Sequence, residues 1–317
     1  MGVRESETFP TKGEARRWGI SREAEIMAVG RGQFPRVTLA KALDEYERRF
    51  SSQKAGRRAE GLRFTAFKRE FPWLAGKVMC ETTTADWARW RDERLRKVKA
   101  STVLRDINLF SAVYHKASKE MGPYCEGSPL TDMDKPAEPP ARTAVWDWRT
   151  IRRVLRYLGY RTGVPPVNKS GEVAYAILVA LRTAMRAQEV LSLSDANVDM
   201  TTRVAMVNHK MQYTTGEPRA VPMQRQAVRL LAPLRKRAAG GRWFTMTPKQ
   251  LDGLWRKRRD QMLVTGITYH DTRGTAITRL ARKYDVLTLS RITGIKDLRL
   301  LNERYYRERA DQIAARL

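Results

Sequence analysis

Residues 171–193, GEVAYAILVALRTAMRAQEVLSL, decide the fold. Their apolar residues recur at helical spacing, and Leu178, Met185 and Leu193 have the pattern of core positions. The stretch therefore predicts a helix that is largely buried. Arg186 lies among these core positions, so a guanidinium is expected close to buried surface, where a charge needs a specific reason.

The residues around this stretch mix two classes of secondary structure. Helical patterns cover 146–160, 227–240, 247–262, 269–284 and 288–294. Residues 203–213 and 219–223 alternate in polarity on either side of a glycine-containing turn, which predicts a β-hairpin. The sequence is thus expected to be mainly α, with a small β-hairpin or sheet.

Residues 36–130 predict a small bundle of four helices. The helical stretches are 38–50, 57–71, 83–98 and 101–122. The side chains predicted to face the inside of the bundle are Leu39, Leu43, Tyr46, Phe50, Leu62, Phe64, Phe67, Val103, Ile107, Phe110 and Tyr114.

Two further segments complete the organisation. Thr11 and Glu14 form a capping box that predicts the start of an N-terminal helix. Five prolines between 123 and 140 break helical periodicity and predict an interdomain linker. The predicted divisions are an N-terminal helix in 1–35, a helical bundle in 36–130, a linker in 131–141 and a second domain in 142–317.

The charge of the chain points to a polyanionic partner. The 317 residues include 61 Lys and Arg against 34 Asp and Glu, a net charge of +27. Residues 1–35 carry +1, residues 36–130 carry +8 and residues 131–317 carry +18. Because the excess is spread over two folded segments, it favours nucleic acid held by two modules.

Other compositional features exclude several classes of protein. The chain contains no apolar run of about 18 residues, so it predicts no membrane-spanning helix. The first ten residues lack the apolar core of a signal peptide. Two cysteines and three scattered histidines predict neither a disulfide framework nor a zinc site. We therefore expect a cytosolic protein that needs no metal or cofactor.

Three motifs follow one another in the second domain: TAMRAQEVLSL (183–193), HDTRGTAIT (270–278) and ITGIKDLRLLNERYY (292–306). Lys210 lies between the first two, in the predicted hairpin. This order of arginine, lysine, His-x-x-Arg and tyrosine resembles the tyrosine recombinase (phage integrase) family. The resemblance covers most of the chain, with 36–130 similar to the core-binding domain and 142–317 to the catalytic domain.

The resemblance implies a site-specific recombinase that cleaves and rejoins DNA at attachment sites through a 3′-phosphotyrosyl intermediate. It assigns Arg186 and Arg273 to the scissile phosphate and Tyr305 to nucleophilic attack. His270 would take the tyrosine proton or hold the phosphate, and Lys210 would protonate the leaving 5′ oxygen. Glu189 matches the acidic position that orients groups of the site.

Two departures from the family pattern leave alternatives open. Ile295 stands where the family usually has His or Trp, and it cannot donate a hydrogen bond. The gap from Gly294 to the tyrosines is one residue longer than expected, so Tyr306 is the alternative nucleophile to Tyr305. A catalytically impaired DNA-binding remnant or regulator, and an activity like that of a type IB topoisomerase, are the competing functions.

The resemblance also implies a location, in the cytoplasm of a bacterial host and associated with the nucleoid, and it implies partners. We expect double-stranded DNA to be held between the two domains. The protein is expected to be a monomer in solution and a homotetramer on DNA. DNA-bending accessory proteins and an excisionase are the other expected partners, and no membrane is expected. The residues of the bundle predicted to face DNA are Arg89, Arg94, Lys97, Lys99 and Arg105. Residues 1–35 resemble the last helix of an arm-binding domain, and we expect a remnant or truncated form of that domain.

Overall fold

The structure, a computed structural model, divides into two compact units, Met1–Ala141 and Arg142–Leu317. It describes residues 7–30, 34–54, 56–138, 144–208, 217–306 and 314. The predicted hairpin residue Lys210 therefore lies outside the described residues.

The first unit is helical, as the sequence predicts. Its helices are α1 (Lys12–Gly30), α2 (Leu39–Tyr46), a π-helical turn (Glu47–Ser51), α3 (Arg57–Glu70), the short α4 (Pro72–Ala75), a 3-10 turn (Met79–Glu81), α5 (Thr84–Leu95) and α6 (Ala100–Lys119). The Thr11 hydroxyl oxygen accepts a hydrogen bond from the Glu14 amide at 3.3 Å, so helix α1 begins at the predicted cap. The capping box of α5, between Thr83 and Asp86, fixes the start of that helix in the same way.

Aromatic side chains form the core of the first unit. The rings of Phe67 and Phe110 lie 4.7 Å apart, and those of Trp87 and Trp90 lie 5.3 Å apart. The four residues of α6 predicted to point inward are all buried. Leu62, however, is 63% exposed; its inward assignment was wrong because a residue two positions before Phe64 lies on the opposite side of a helix.

The proline-rich stretch after α6 is only partly a linker. Cys125, Leu130 and Met133 are buried in the core of the first unit. Since Met133 falls within the predicted linker 131–141, packing of the first unit extends into that segment.

The second unit is built around a buried helix. Its helices are α7 (Trp148–Tyr157), α8 (Lys169–Thr183), α9 (Ala187–Leu191), α10 (Arg225–Ala238), α11 (Pro248–Gln261), α12 (Asp271–Ala281), α13 (Val286–Thr293) and α14 (Leu298–Tyr305). Helix α8 is buried along almost its whole length and packs against α10, α11 and α12. Tyr269, just before α12, donates its hydroxyl hydrogen to the Ala176 carbonyl at 3.0 Å, which ties the start of α12 to α8.

A small antiparallel sheet lies beside these helices. Its strands are β1 (Val198–Asp199), β2 (Val204–Val207) and β3 (Arg219–Pro222), in that order. Val207 pairs with Arg219 and Val204 with Pro222, so β2 and β3 are the two arms of the predicted hairpin. The fold is therefore mainly α with a small sheet, as the sequence predicts.

The stretch 171–193 is two helices, and the prediction of helix throughout was wrong. Helix α8 ends at Thr183, and Ala184 has φ 56° and ψ 20°, in the left-handed region. The Thr183 hydroxyl bonds back to the Val179 carbonyl at 2.8 Å. Because the chain turns at Ala184, Arg186 lies at the N-cap of α9 and not inside a helix.

No helix in the described part of the chain is long and apolar enough to cross a membrane.

Phe110→Ala should lower the free energy of unfolding of the first unit by about 3–5 kcal/mol, because it removes a buried ring from an aromatic cluster. Leu62→Ala is the control on the same bundle, and it should change the free energy by less than about 0.5 kcal/mol since Leu62 is exposed. Urea denaturation of the full chain, followed by tryptophan fluorescence, measures both. Equal losses of unfolding free energy in the two variants would contradict the burial of Phe110 and the exposure of Leu62.

Candidate active site

The centre of the candidate site is the carboxylate of Glu189, on α9. Its side chain is 2% exposed. One oxygen, Oε2, accepts the Arg186 backbone amide at 2.9 Å, and the other, Oε1, accepts Arg186 Nη1 at 3.1 Å. Glu189 thus holds Arg186 by backbone and side chain together, while 41% of the Arg186 side chain remains exposed.

A second arginine, outside the three sequence motifs, binds the same carboxylate. Arg219, the first residue of β3, donates from Nη2 to Glu189 Oε2 at 2.8 Å and from Nη1 to the Ile292 carbonyl at 2.7 Å. Its side chain is 10% exposed. Burial lowers the pKa of Arg219, and the negative charge of Glu189 opposes that effect.

Arg273, on α12, is the most buried guanidinium of the group at 5% exposure. It donates to the Ala184 carbonyl from Nη1 and to the Thr293 carbonyl from Nη2, the latter at 2.8 Å. Burial, reinforced by the positive charge of Arg186, lowers the pKa of Arg273 to about 10. The group therefore remains charged at neutral pH.

The acceptors of Arg273 come from two helix ends at which the chain turns into the left-handed region. Ala184 follows α8, and Gly294, with φ 68°, follows α13. Gly294 also lies directly against Arg219: a Cβ at this position would be 2.5 Å from Arg219 Cδ. Glycine at 294 is thus favoured by the backbone conformation and by the close approach of the arginine beside it.

His270 lies at the N-cap of α12, one turn before Arg273, as the sequence predicts. The pKa of His270 is lowered, first by partial burial and then by the positive charge of Arg273, with further contributions from Arg186 and Arg304. The imidazole is accordingly neutral at pH 7 and able to accept a proton.

The two tyrosines at the end of α14 differ in their surroundings. Tyr306 donates its hydroxyl hydrogen to the Tyr284 carbonyl at 2.6 Å, and desolvation together with the charge of Asp285 raises its pKa. Tyr305 Oη has no hydrogen-bond partner among the described residues, and the Arg304 guanidinium lies 5.8 Å from its ring centre. Tyr305 also contributes to the electrostatic surroundings of Arg273.

Ile295 is half-buried beside these groups. Its amide donates to the Thr293 hydroxyl oxygen at 3.3 Å, and its carbonyl accepts the Ser290 hydroxyl at 2.7 Å. The side chain packs on the small apolar cluster that also includes Leu289 and Leu301. Ile295 thus fills its position by packing.

Of the predicted site residues in this unit, the structure brings together Arg186, Glu189, His270, Arg273 and Tyr305. The described residues contain no group of three or more His, Cys, Asp or Glu side chains that would suit a metal ion.

The basic residues predicted to face DNA in the first unit fall into two groups. Arg89, Lys97, Lys99 and Arg105 are exposed. Arg89 stacks on the Trp73 ring, with its guanidinium carbon 4.4 Å from the ring centre.

Arg94 differs from that group, because its side chain is only 17% exposed. Its guanidinium donates to Glu70 at 3.1 Å and to Asp106 at 3.4 Å. The structure therefore gives Arg94 a role in holding α3, α5 and α6 together, and its donors point at carboxylates of the bundle.

Arg219 was missed although the sequence carried a signal for it. Side chains alternate along a strand, so Arg219 must share a face with Val221, two residues later. Val221 is fully buried, whereas Ala220 and Pro222 are exposed. An arginine on the buried face of a hairpin strand predicts a buried anionic partner, because an unpaired buried charge is costly.

The fold, a helical bundle and a second helical unit with a three-stranded sheet, is that of a tyrosine recombinase. The set of arginines in the second unit agrees with it. Residues 167–312 match the phage integrase family. A putative integrase/recombinase of Haemophilus influenzae is 31% identical over 312 residues, which cover 96% of this chain and 82% of the relative.

Two solved structures have the same fold. The Tn1549 transposon integrase in complex with a circular intermediate DNA superposes with a TM-score of 0.66 at 16% identity, covering 88% of this chain and 98% of the other. A λ integrase dimer bound to a COC′ core site gives a TM-score of 0.67 at 14% identity, with coverage of 86% and 97%. The chain belongs to the phage integrase family and is a tyrosine site-specific recombinase.

A left-handed conformation costs an ordinary residue about 1–2 kcal/mol. Gly294→Ala should destabilise the second unit by more than this, because the alanine methyl group would also overlap Arg219. Gly159→Ala is the matched control: Gly159 has φ 75°, and a methyl group there would have no atom within 4 Å. Thermal denaturation of both variants tests this. Equal losses would mean that the contact with Arg219 adds nothing.

Proposed function

We propose that this recombinase cleaves and rejoins duplex DNA at attachment sites, using Tyr305 as the nucleophile that forms a 3′-phosphotyrosyl bond. The observation that carries the proposal is the convergence of Arg186 and Arg273 around Glu189, close to Tyr305. This arrangement supplies fixed positive charge where a phosphodiester would gain negative charge during attack.

The proposed phosphate site is a pair of guanidiniums that differ in exposure. Arg273 is held by two backbone carbonyls, and Arg186 is held by Glu189 but partly exposed. Charge-assisted hydrogen bonds from two such groups would bind the non-bridging oxygens of the phosphorane-like transition state. Because the donors are already oriented, little reorganisation is needed when the charge develops.

Tyr305 is favoured over Tyr306 by its surroundings. An attacking phenol must lose its proton, and a raised pKa opposes that loss at Tyr306. The hydroxyl of Tyr306 is also bound to the Tyr284 carbonyl, whereas that of Tyr305 has no hydrogen-bond partner among the described residues.

The proposed step conserves atoms and protons. The Tyr305 oxygen forms a bond to phosphorus, and its proton passes to the neutral His270. The bond between phosphorus and the 5′ oxygen breaks, and Lys210 donates a proton to that oxygen. Religation reverses the step, so no ATP is needed. The Ile295 side chain supplies no donor, and it packs on the apolar cluster that includes Leu289 and Leu301.

We further propose that both units bind DNA, with Arg89, Lys97, Lys99 and Arg105 as the contacts of the first unit. Their exposure supports this role, and phosphate contacts by such residues make binding depend on salt. Arg94 would act by holding the helices that present them. Assembly as a homotetramer on DNA from monomers, with bending proteins and an excisionase, belongs to the same proposal.

Tyr305→Phe should abolish covalent attachment to an attachment-site duplex that carries a nick, because phenylalanine has no attacking oxygen. Binding should be unchanged, since the hydroxyl makes no contact that orders the site. Denaturing gels measure the adduct, and gel shifts measure binding.

Tyr306→Phe is the matched control and should still form the adduct. The opposite pattern would assign the reaction to Tyr306. A wild-type chain that binds without forming an adduct would be a DNA-binding regulator, and relaxation of supercoils without site preference would indicate a topoisomerase-like activity.

The cleavage rate should not change with pH above about 6.5, the ordinary histidine pKa, and should fall at lower pH. His270 accepts a proton only when neutral, and its lowered pKa places the loss of activity below that pH. Single-turnover cleavage from pH 5 to 8 provides the test. His270→Gln should be slower but should lack this acid limb; an identical limb in the variant would assign it to another group.

A further inference from the structure

Arg219 is a buried cation that none of the proposed chemical steps uses. Its guanidinium connects three parts of the second unit. The side chain starts on β3, Nη2 binds Glu189 on α9, and Nη1 binds the Ile292 carbonyl near the end of α13. At 10% exposure it is poorly placed to contact DNA directly.

The details of this contact favour a role in orientation over one in stability. The Nε atom of Arg219 is fully buried and has no hydrogen-bond partner among the described residues, and burial lowers the pKa of the group. Both features cost free energy. A buried ion pair is weak evidence for stability, because desolvation can exceed the attraction.

What the contact does achieve is to complete the surroundings of Glu189. Oxygen Oε2 lies between the Arg186 amide at 2.9 Å and Arg219 Nη2 at 2.8 Å. With Oε2 held in this way, the plane of the carboxylate is fixed and Oε1 is directed at Arg186 Nη1. Without Arg219, the carboxylate would be held only by its contacts with Arg186 itself, and no second element would fix its direction.

The contact with Gly294 restrains the other side of Arg219. The aliphatic part of the side chain lies against Gly294, so closely that no Cβ fits. Gly294 follows Thr293, whose carbonyl accepts Arg273. Arg219 therefore adjoins the supports of both proposed phosphate ligands, Glu189 for Arg186 and the 293–294 turn for Arg273.

We propose that Arg219 is a positioning residue for strand cleavage: it fixes Glu189 and the turn at Gly294 so that Arg186 and Arg273 meet the scissile phosphate together. This inference rests on the proposed phosphotyrosyl reaction. Arg219 acts through these two arginines and not through Lys210, the proposed proton donor.

The test compares Arg219→Met with a matched control, Arg237→Met, in the full chain. Arg237 is also an arginine bound to a buried glutamate and two carbonyls: its Nη1 lies 3.2 Å from Glu172, and it donates to Pro166 and Trp243 at 2.9 Å each. It belongs to the same unit and makes none of the contacts of the candidate site. Both substitutions remove the bonds of an arginine to a buried glutamate and to backbone carbonyl oxygen, so a purely structural effect should appear in both.

Two DNA duplexes separate the positioning of the scissile phosphate from the protonation of the leaving 5′ oxygen. One has an ordinary scissile phosphate, and the other has sulfur as the 5′ bridging atom, which leaves without being protonated. Lys210→Ala serves as the positive control, because sulfur should restore its cleavage. Arg219→Met should cleave both duplexes slower than wild type by about 10- to 100-fold, the scale of a misplacement of order 1 Å, with unchanged DNA affinity. Arg237→Met should cleave at the wild-type rate.

Arg219→Lys keeps the proposal testable if the methionine variant does not fold. Lysine keeps the charge, but its single ammonium group cannot span Glu189 and Ile292 as the guanidinium does. We expect unchanged affinity and slower cleavage of both duplexes.

The outcomes distinguish the proposals. Three outcomes would overturn the positioning role of Arg219. They are wild-type cleavage rates in the Arg219 variants, a loss of cleavage rate equal to that of Arg237→Met, and recovery of the cleavage rate on the sulfur duplex. Absence of any covalent adduct with the wild-type chain would instead overturn the phosphotyrosyl reaction itself.

Discussion

A single buried carboxylate, that of Glu189, is the constraint on which the candidate site depends. Arg186, Arg219 and Arg273 bring three positive charges into one small region, and Glu189 binds two of them directly. Like charges in a poorly solvated region repel strongly. The buried anion offsets that repulsion and also sets direction, because its two oxygens face different donors.

The backbone supplies the remaining support by departing from regular structure at two points. Ala184 and Gly294 both adopt positive φ, and each ends a helix next to a carbonyl that binds Arg273. A non-glycine residue in this conformation costs about 1–2 kcal/mol. Such departures are common where a structure has to present particular groups, and here they turn helix ends into arginine acceptors.

Much of this architecture followed from the sequence, and the exceptions at the site and at Arg94 share one cause. Helical periodicity predicted the bundle and most helices of the second unit, since local patterns determine them. The order of motifs pointed to Arg186, Glu189, His270, Arg273 and Tyr305. The break at Ala184 and the contacts of Arg219 and Arg94 depend on residues distant in the chain. Periodicity cannot predict such tertiary contacts, and Arg219 was missed although the alternation of side chains along β3 was a signal for its burial.

Cleavage by Glu189→Gln tests the central role of the carboxylate most directly. Glutamine keeps the size of the side chain but removes the charge and one acceptor. We predict a cleavage rate lower by on the order of 10²-fold with unchanged DNA affinity. Glu172→Gln, which changes the buried glutamate that binds Arg237 in the same unit, should cleave at the wild-type rate. Wild-type cleavage by Glu189→Gln would contradict the account.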